Sequence, residues 1–86
     1  MSKAQLKREL AGGKAYVIVA PITHPLRGVV RKAEKIQTNA VQWTGGSWLY
    51  FDDVKSHNIT PDGKSFAMVT YGVTGEEVAI YEQVTE

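Results

Sequence analysis

The chain has 86 residues and no cysteine, which excludes a disulfide framework, a thiolate nucleophile and a cysteine-based zinc site. Its length predicts one small globular domain over residues 1–86. No apolar run is long enough to span a bilayer, and residues 1–11 are too polar for a secretory signal. A small domain without disulfides is typical of a reducing compartment, so we expect a cytoplasmic protein.

The two halves of the chain carry opposite charge. Residues 1–35 hold eight basic and two acidic side chains, a balance of +6, and residues 36–86 hold two basic and seven acidic ones, a balance of −5. Such asymmetry can mark a basic binding face. The simpler interpretation is that the halves complement each other within one domain, since the net charge is only +1.

A short helix is predicted at the start of the chain. Leu6 and Leu10 stand one helical turn apart, and Gly12-Gly13 is a strong signal for the end of a helix. A helix this short is marginal by itself, so both leucines are expected to dock on the rest of the domain.

From Lys14 onward the sequence favours β structure. Segments rich in β-branched and aromatic residues are bounded by turn residues, and they predict strands over Ala15–Ala20, Leu26–Ile36, Ser65–Tyr71 and Glu76–Val84. The alternation in the second of these slips near Ala33, which predicts a bulge or a bend. Turns are predicted at Thr60–Lys64 and at Gly72–Gly75.

Residues 41–50 predict a β-hairpin with one tryptophan on each arm. Gly45-Gly46 suits a two-residue turn in which both residues have positive φ. That turn would place Trp43 opposite Trp48 and Val41 opposite Tyr50, with all four side chains on one face. The other face would carry Ala40, Gln42, Leu49 and Phe51.

These elements predict an α+β domain that is mainly β. A short N-terminal helix precedes five to six antiparallel strands, arranged as a strongly bent sheet or a small barrel of the SH3-like or OB-like kind. The comparison with those barrels concerns architecture only, because the sequence contains no motif of a particular family.

Catalytic signals are weak. His57 could approach Asp52 or Asp53 and form a metal site or an acid–base pair, but a solvated acidic loop is the more common reason for such a cluster. His24 lies between turn residues, and no serine has a nucleophile-elbow pattern. We therefore expect no catalytic residue, no metal and no cofactor.

The composition favours a non-catalytic module that binds a larger protein, such as an inhibitor or adaptor of viral or mobile-element type. Aromatic side chains are frequent anchors of interfaces, and basic ones provide orientation and on-rate. The candidate partner-binding residues are Trp43, Trp48, Tyr50, Arg27, Arg31 and Lys32. We expect a monomer or a symmetric dimer, because charges on strand 26–36 protect a sheet edge.

The alternative is a small β-barrel that binds nucleic acid. Bases would stack on the tryptophan hairpin, and basic strand 26–36 would track phosphates through Arg27, Arg31, Lys32 and Lys35. Two structural explanations also stand: the tryptophans fill the core, and the basic strand is a solvated edge.

Overall fold

The computed structural model describes residues 2–72 and 75–84, with side chains for residues 3–69 and 78–84. This part of the chain forms one α-helix, seven strands and two 3₁₀ turns. In chain order they are α1 (Ser2–Ala11), β1 (Tyr16–Ala20), β2 (Val30–Arg31), β3 (Ala33–Ile36), β4 (Ala40–Trp43), β5 (Trp48–Tyr50), the 3₁₀ turns Phe51–Asp53 and Ser56–Asn58, β6 (Ser65–Gly72) and β7 (Gly75–Gln83). The prediction of a mainly β domain is confirmed, with seven strands in place of five or six.

Helix α1 docks on the sheets through its leucine pair, as predicted. Leu6 and Leu10 are fully buried in the core, and Gly13 follows the helix with a φ of 82°. The turn before β6 packs directly beneath the helix. Gly63 in that turn has a φ of 72°, and a Cβ there would lie 3.0 Å from the backbone of Gln5 and Leu6. Only glycine meets both the conformational and the steric requirement at this contact.

The same turn is held by an aspartate at its centre. The Thr60 hydroxyl donates to Asp62 Oδ1 (2.7 Å), and the Lys64 amide N–H donates to the same oxygen (3.0 Å). Both bonds favour the ionised carboxylate, so they lower the pKa of Asp62 below its ordinary value. The predicted turn at Thr60–Lys64 is therefore present and tightly bonded.

The strands form two antiparallel sheets. The four-stranded sheet has the order β2-β1-β7-β6, and the three-stranded sheet has the order β3-β4-β5. Neither sheet closes on itself within the described residues, so the structure does not confirm a barrel. The prediction of antiparallel pairing is confirmed for all pairs of these strands.

Segment 30–36 links the two sheets. It breaks at Lys32, so that β2 pairs with β1 and β3 pairs with β4. The register shifts between Ala33 and Lys35, which confirms the predicted irregularity. The predicted start of this strand at Leu26 is wrong. Residues 26–29 contain a turn and one isolated parallel bridge between Arg27 and Ile18 instead, and Gly28, with a φ of 85°, donates its N–H to the Ile18 carbonyl.

The hairpin of β6 and β7 places one side of β7 in the core. Ala79 and Tyr81 are buried, whereas Val78 and Ile80 are 52% and 38% exposed on the opposite side. Gly72 pairs with Gly75, and the centre of the predicted turn, Val73-Thr74, lies outside the described residues. Among the described residues, no helix has the length and apolar character needed to cross a membrane.

Four aromatic rings fill the space between the two sheets. The ring of Tyr81 stacks on Phe66 with centroids 4.6 Å apart and on Trp43 with centroids 5.9 Å apart. Tyr16 packs edge-on against Phe66 and donates its hydroxyl to the Gly63 carbonyl (2.7 Å). This aromatic stack joins both sheets and the turn under α1 into one core.

Candidate functional site

The tryptophan hairpin has a different register from the predicted one. Gln42 pairs with Trp48 and Val41 pairs with Leu49, so the loop contains three residues, Thr44 to Gly46. Both glycines have positive φ, at 97° and 104°, as a tight hairpin requires. The prediction of a two-residue turn is wrong by one position. A shift of one residue moves every side chain of one arm to the opposite face.

Thr44 explains the shift. Its N–H donates to the Lys32 carbonyl (2.9 Å), and its hydroxyl accepts the Lys32 N–H (3.4 Å). Thr44 thus continues the ladder toward β3 and does not pair with Ser47. A three-residue loop with glycine at a left-handed position is a common hairpin connection, and the sequence is compatible with both loop lengths.

As a result the two tryptophans have opposite roles. Trp43 is 1% exposed within the aromatic stack, whereas Trp48 is 38% exposed on the outer face of the three-stranded sheet. The predicted shared face of Trp43 and Trp48 is therefore wrong, and Trp43 is not an accessible anchor. Tyr50 lies beside Trp48, is 54% exposed, and stacks on it with ring centroids 6.4 Å apart. We call Trp48 and Tyr50 the aromatic pair.

The aromatic pair lies on a strand with an open edge, because β5 is the last strand of its sheet. The Ser47 carbonyl accepts a hydrogen bond from the Trp43 N–H (2.7 Å). The Phe51 N–H donates to the carbonyl of Asn39, the residue before β4 (2.9 Å). Bonded positions alternate in an antiparallel ladder, so Leu49 faces β4 as well. The backbone N–H and C=O groups of Trp48 and the N–H of Tyr50 therefore point away from the sheet, whereas the Tyr50 carbonyl is at the N-cap of the 3₁₀ turn Phe51–Asp53.

Arg31 does not provide the exposed charge that its position in a basic strand predicted. It is 8% exposed, and its guanidinium carbon lies 5.3 Å from the Trp43 ring centroid and 6.0 Å from that of Tyr81. Its Nη2 donates to the Tyr81 hydroxyl (3.1 Å). Burial raises the pKa of Tyr81 above its ordinary value, and the nearby Arg31 charge opposes that shift.

A cleft of about 170 Å³ lies beside the side chains of Arg31 and Tyr81. Its lining includes Arg31, Trp43 and Tyr81 from the core together with Ser47 and Trp48 from the hairpin. The structure thus brings three of the predicted site residues, Arg31, Trp43 and Trp48, around one small space at the start of β5.

The remaining basic candidates lie elsewhere. Arg27 is exposed in the loop before β2, where its Nε donates to the Val19 carbonyl at 3.4 Å. Lys32 is exposed at the break between β2 and β3 and lines a separate polar cleft that also includes Lys14 and Lys64. Neither Arg27 nor Lys32 is among the residues that line the cleft at Trp48.

The acidic loop does not form the metal site that its composition allowed. Asp52 and Asp53 belong to the first 3₁₀ turn and His57 to the second. Within residues 2–72 and 75–84, no three histidine, cysteine or acidic side chains are grouped so that they could hold a metal ion.

Sequence reasoning missed the open edge of β5 and the cleft. The edge follows from the order of the strands, and the cleft depends on how the two sheets meet. Neither leaves a local pattern in the sequence.

Comparison with known protein families, with characterised proteins and with solved structures finds no significant match to this chain.

Proposed function

We propose that this chain is a non-catalytic binding protein that docks on a larger protein partner through the edge of β5. The observation that carries the proposal is that Trp48 and Tyr50 combine exposed aromatic side chains with backbone groups that face away from β4. An extended segment of a partner would add as a further strand, with main-chain bonds providing affinity and the aromatic pair providing specificity.

The residue types of the aromatic pair and the exposed edge of β5 both support this proposal. Tryptophan and tyrosine are over-represented among the side chains that dominate binding energy at protein interfaces. In addition, an open strand edge is a hazard that proteins normally cover or protect with charge, proline or a bulge. Strand β5 has no charge, proline or bulge, since its sequence is Trp48-Leu49-Tyr50, and its edge is limited only by its length of three residues.

The nucleic-acid alternative is less well supported by the positions of the charges. Arg31, one of the basic residues assigned to phosphates, is packed against Trp43 and Tyr81. Asp52 and Asp53 are exposed directly after the aromatic pair, where they would repel a phosphate backbone. Lys35 lies in the same cross-strand row as Gln42 and Trp48, and it is the remaining argument for that alternative.

Two further expectations belong to this proposal. We propose that the protein acts in the cytoplasm, on the grounds of its cysteine-free sequence. We also propose that the two sheets are related to a small barrel of the SH3-like or OB-like kind. The support is segment 30–36, which bends from one sheet into the other as strands do at the corners of such barrels.

Affinity capture from the native cytoplasm tests the proposal, with and without nuclease treatment. Wild-type protein, Trp48→Ala and the control Val30→Ala are compared. The control removes an apolar side chain that is 54% exposed on the other sheet. We expect the wild type to capture a partner protein whether or not nuclease is added. Val30→Ala is expected to capture the same protein, and Trp48→Ala is expected not to.

Two results would contradict the proposal. One is capture that disappears on nuclease treatment and weakens steeply with salt, since that behaviour indicates nucleic acid. The other is a partner that binds Trp48→Ala as well as it binds the wild type, provided that circular dichroism shows both to be folded.

A further inference from the structure

Arg31 is a buried cation with few internal partners. It is 8% exposed, and the bond from its Nη2 to the Tyr81 hydroxyl is its one side-chain hydrogen bond to the described residues. A guanidinium has several further N–H donors. In the described part of the chain, no side-chain nitrogen or oxygen that is shielded from solvent lacks a partner. No other hydrogen bond of the Arg31 side chain joins it to the described residues, and Arg31 lines the cleft at Trp48.

No acidic side chain that the structure describes lines the cleft beside this charge. Ile18, Leu26 and Met68 make much of the wall apolar. The faces of Trp43 and Tyr81 stabilise the guanidinium by cation–π attraction but leave its charge in place. An uncompensated cation in apolar surroundings attracts an anion more strongly than it would in water.

His24 adds a second donor to the lining. Its Nδ1 accepts the Leu26 amide N–H at 3.0 Å, so in the neutral imidazole the proton is on Nε2. His24 also lines the cleft, and as an imidazole it adds no negative charge to the lining.

The size and position of the cleft indicate what occupies it. Its volume of about 170 Å³ is close to that of a cavity that accepts one benzene ring, so it has room for one side chain. It adjoins Ser47 and Trp48, where β5 begins. A partner strand that runs along the edge of β5 and continues past Ser47 reaches the cleft with its next residues, at roughly 3.3 Å per residue.

We infer that the cleft receives an aspartate or glutamate side chain of the partner segment that pairs with β5. This inference rests on the proposed function and names the chemistry that the partner must carry. The carboxylate would accept charge-assisted hydrogen bonds from the Arg31 guanidinium, whose planar fork suits a carboxylate better than an ammonium group does. The methylene groups of the acidic side chain would contact the apolar wall.

Selection of peptides tests the inference and does not require the partner to be identified first. Random linear peptides displayed on phage are selected on the immobilised wild-type protein, and the enriched peptides are synthesised. We expect them to share an acidic residue at a constant distance from a hydrophobic one. Replacing that acid with its amide is expected to raise the Kd, measured by calorimetry on the wild-type protein, by about tenfold or more.

Protein variants provide the matched controls. Arg31→Lys keeps the positive charge but lacks the planar guanidinium. It is expected to weaken binding of the acidic peptide and to leave binding of the amide peptide unchanged. Lys14→Ala removes an exposed cation that does not line the cleft, and the Kd is expected to stay within about twofold. The amide peptide is tested on the wild-type protein, so this arm does not depend on whether Arg31→Lys folds.

The possible outcomes separate the inference from the proposed function. Peptides whose binding is lost with Trp48→Ala but is unchanged when the acid is replaced by its amide would overturn the acidic-residue inference. They would leave the β5 edge as the binding site. Peptides that bind Trp48→Ala as tightly as wild type, or failure to enrich any peptide, would contradict both.

Discussion

Replacing each tryptophan with alanine separates the buried side chain from the exposed one. Trp43 is 1% exposed and contacts Tyr16, Tyr81 and Arg31 through its ring. A buried aromatic side chain removes about 150–250 Å² from water, which at about 25 cal/mol per Å² corresponds to about 4–6 kcal/mol. Measured losses for Trp→Ala in cores are similar, at about 3–5 kcal/mol.

The same substitution at Trp48 leaves no closed void, because that ring is 38% exposed. It removes the stacking contact with Tyr50, which is worth about 0.5–1.5 kcal/mol, and part of the covered area. We expect a loss of about 1–2 kcal/mol. A domain of this length has a total stability of about 4–13 kcal/mol, so Trp48→Ala stays folded while Trp43→Ala loses a quarter of its stability or more.

Thermal unfolding followed by far-ultraviolet circular dichroism measures both losses. Each kcal/mol shifts the Tm of a domain of this size by about 4–8 °C. We expect Trp43→Ala to lower the Tm by more than about 12 °C or to show no cooperative transition. Trp48→Ala is expected to lower it by about 5–15 °C. Equal losses, or a larger loss for Trp48→Ala, would refute the hairpin register.

Three further predictions concern turns, pH and association. In urea unfolding, Gly63→Ala is expected to lower the free energy of unfolding by about 3 kcal/mol and Gly45→Ala by about 1–2 kcal/mol. Both glycines have positive φ, but only a side chain at Gly63 would meet the helix backbone. Equal losses would contradict that helix contact. Hydrogen bonds lower the pKa of Asp62 in the folded protein, so the stability it contributes is present above about pH 4 and is lost as the pH falls through the lowered pKa. The Tm of Asp62→Asn is therefore expected to fall less than that of the wild type between about pH 4 and 2. An equal fall in both proteins would count against this assignment. Sedimentation equilibrium is expected to show a monomer or a symmetric dimer, with any dimer weakened by Ile80→Lys on the exposed face of β7; a large species that does not depend on concentration would overturn this.

Local signals in the sequence predicted the helix and most strands. The leucine spacing in α1 and the double glycine after it define an amphipathic helix with a clear end, and both leucines are buried. Strand β1 and the β6–β7 hairpin were predicted because β-branched runs between turn residues have few other solutions. These elements depend on contacts within a short stretch of chain.

The candidate site could not be predicted in the same way, because it depends on contacts between distant residues. A hydrogen-bond pair with Lys32 moves Thr44 into the loop, and this one-residue difference decides which tryptophan is exposed. Arg31 is adjacent in sequence to other basic residues, yet Tyr81, 50 positions further along, provides its hydrogen bond. The sequence therefore identified the hairpin and its aromatic residues but not their orientation.

Substitutions at Tyr50 test whether a partner pairs with the open edge of β5. The Tyr50 N–H points away from β4, as proline at a strand edge requires, and its φ of −96° needs a change of about 30° to reach the φ of proline. Tyr50→Ala removes the side chain alone, whereas Tyr50→Pro also removes the edge N–H donor. Binding of the captured partner to both folded variants is compared by titration. We expect Tyr50→Pro to bind at least about fivefold more weakly than Tyr50→Ala. Equal affinities would contradict strand pairing at this edge.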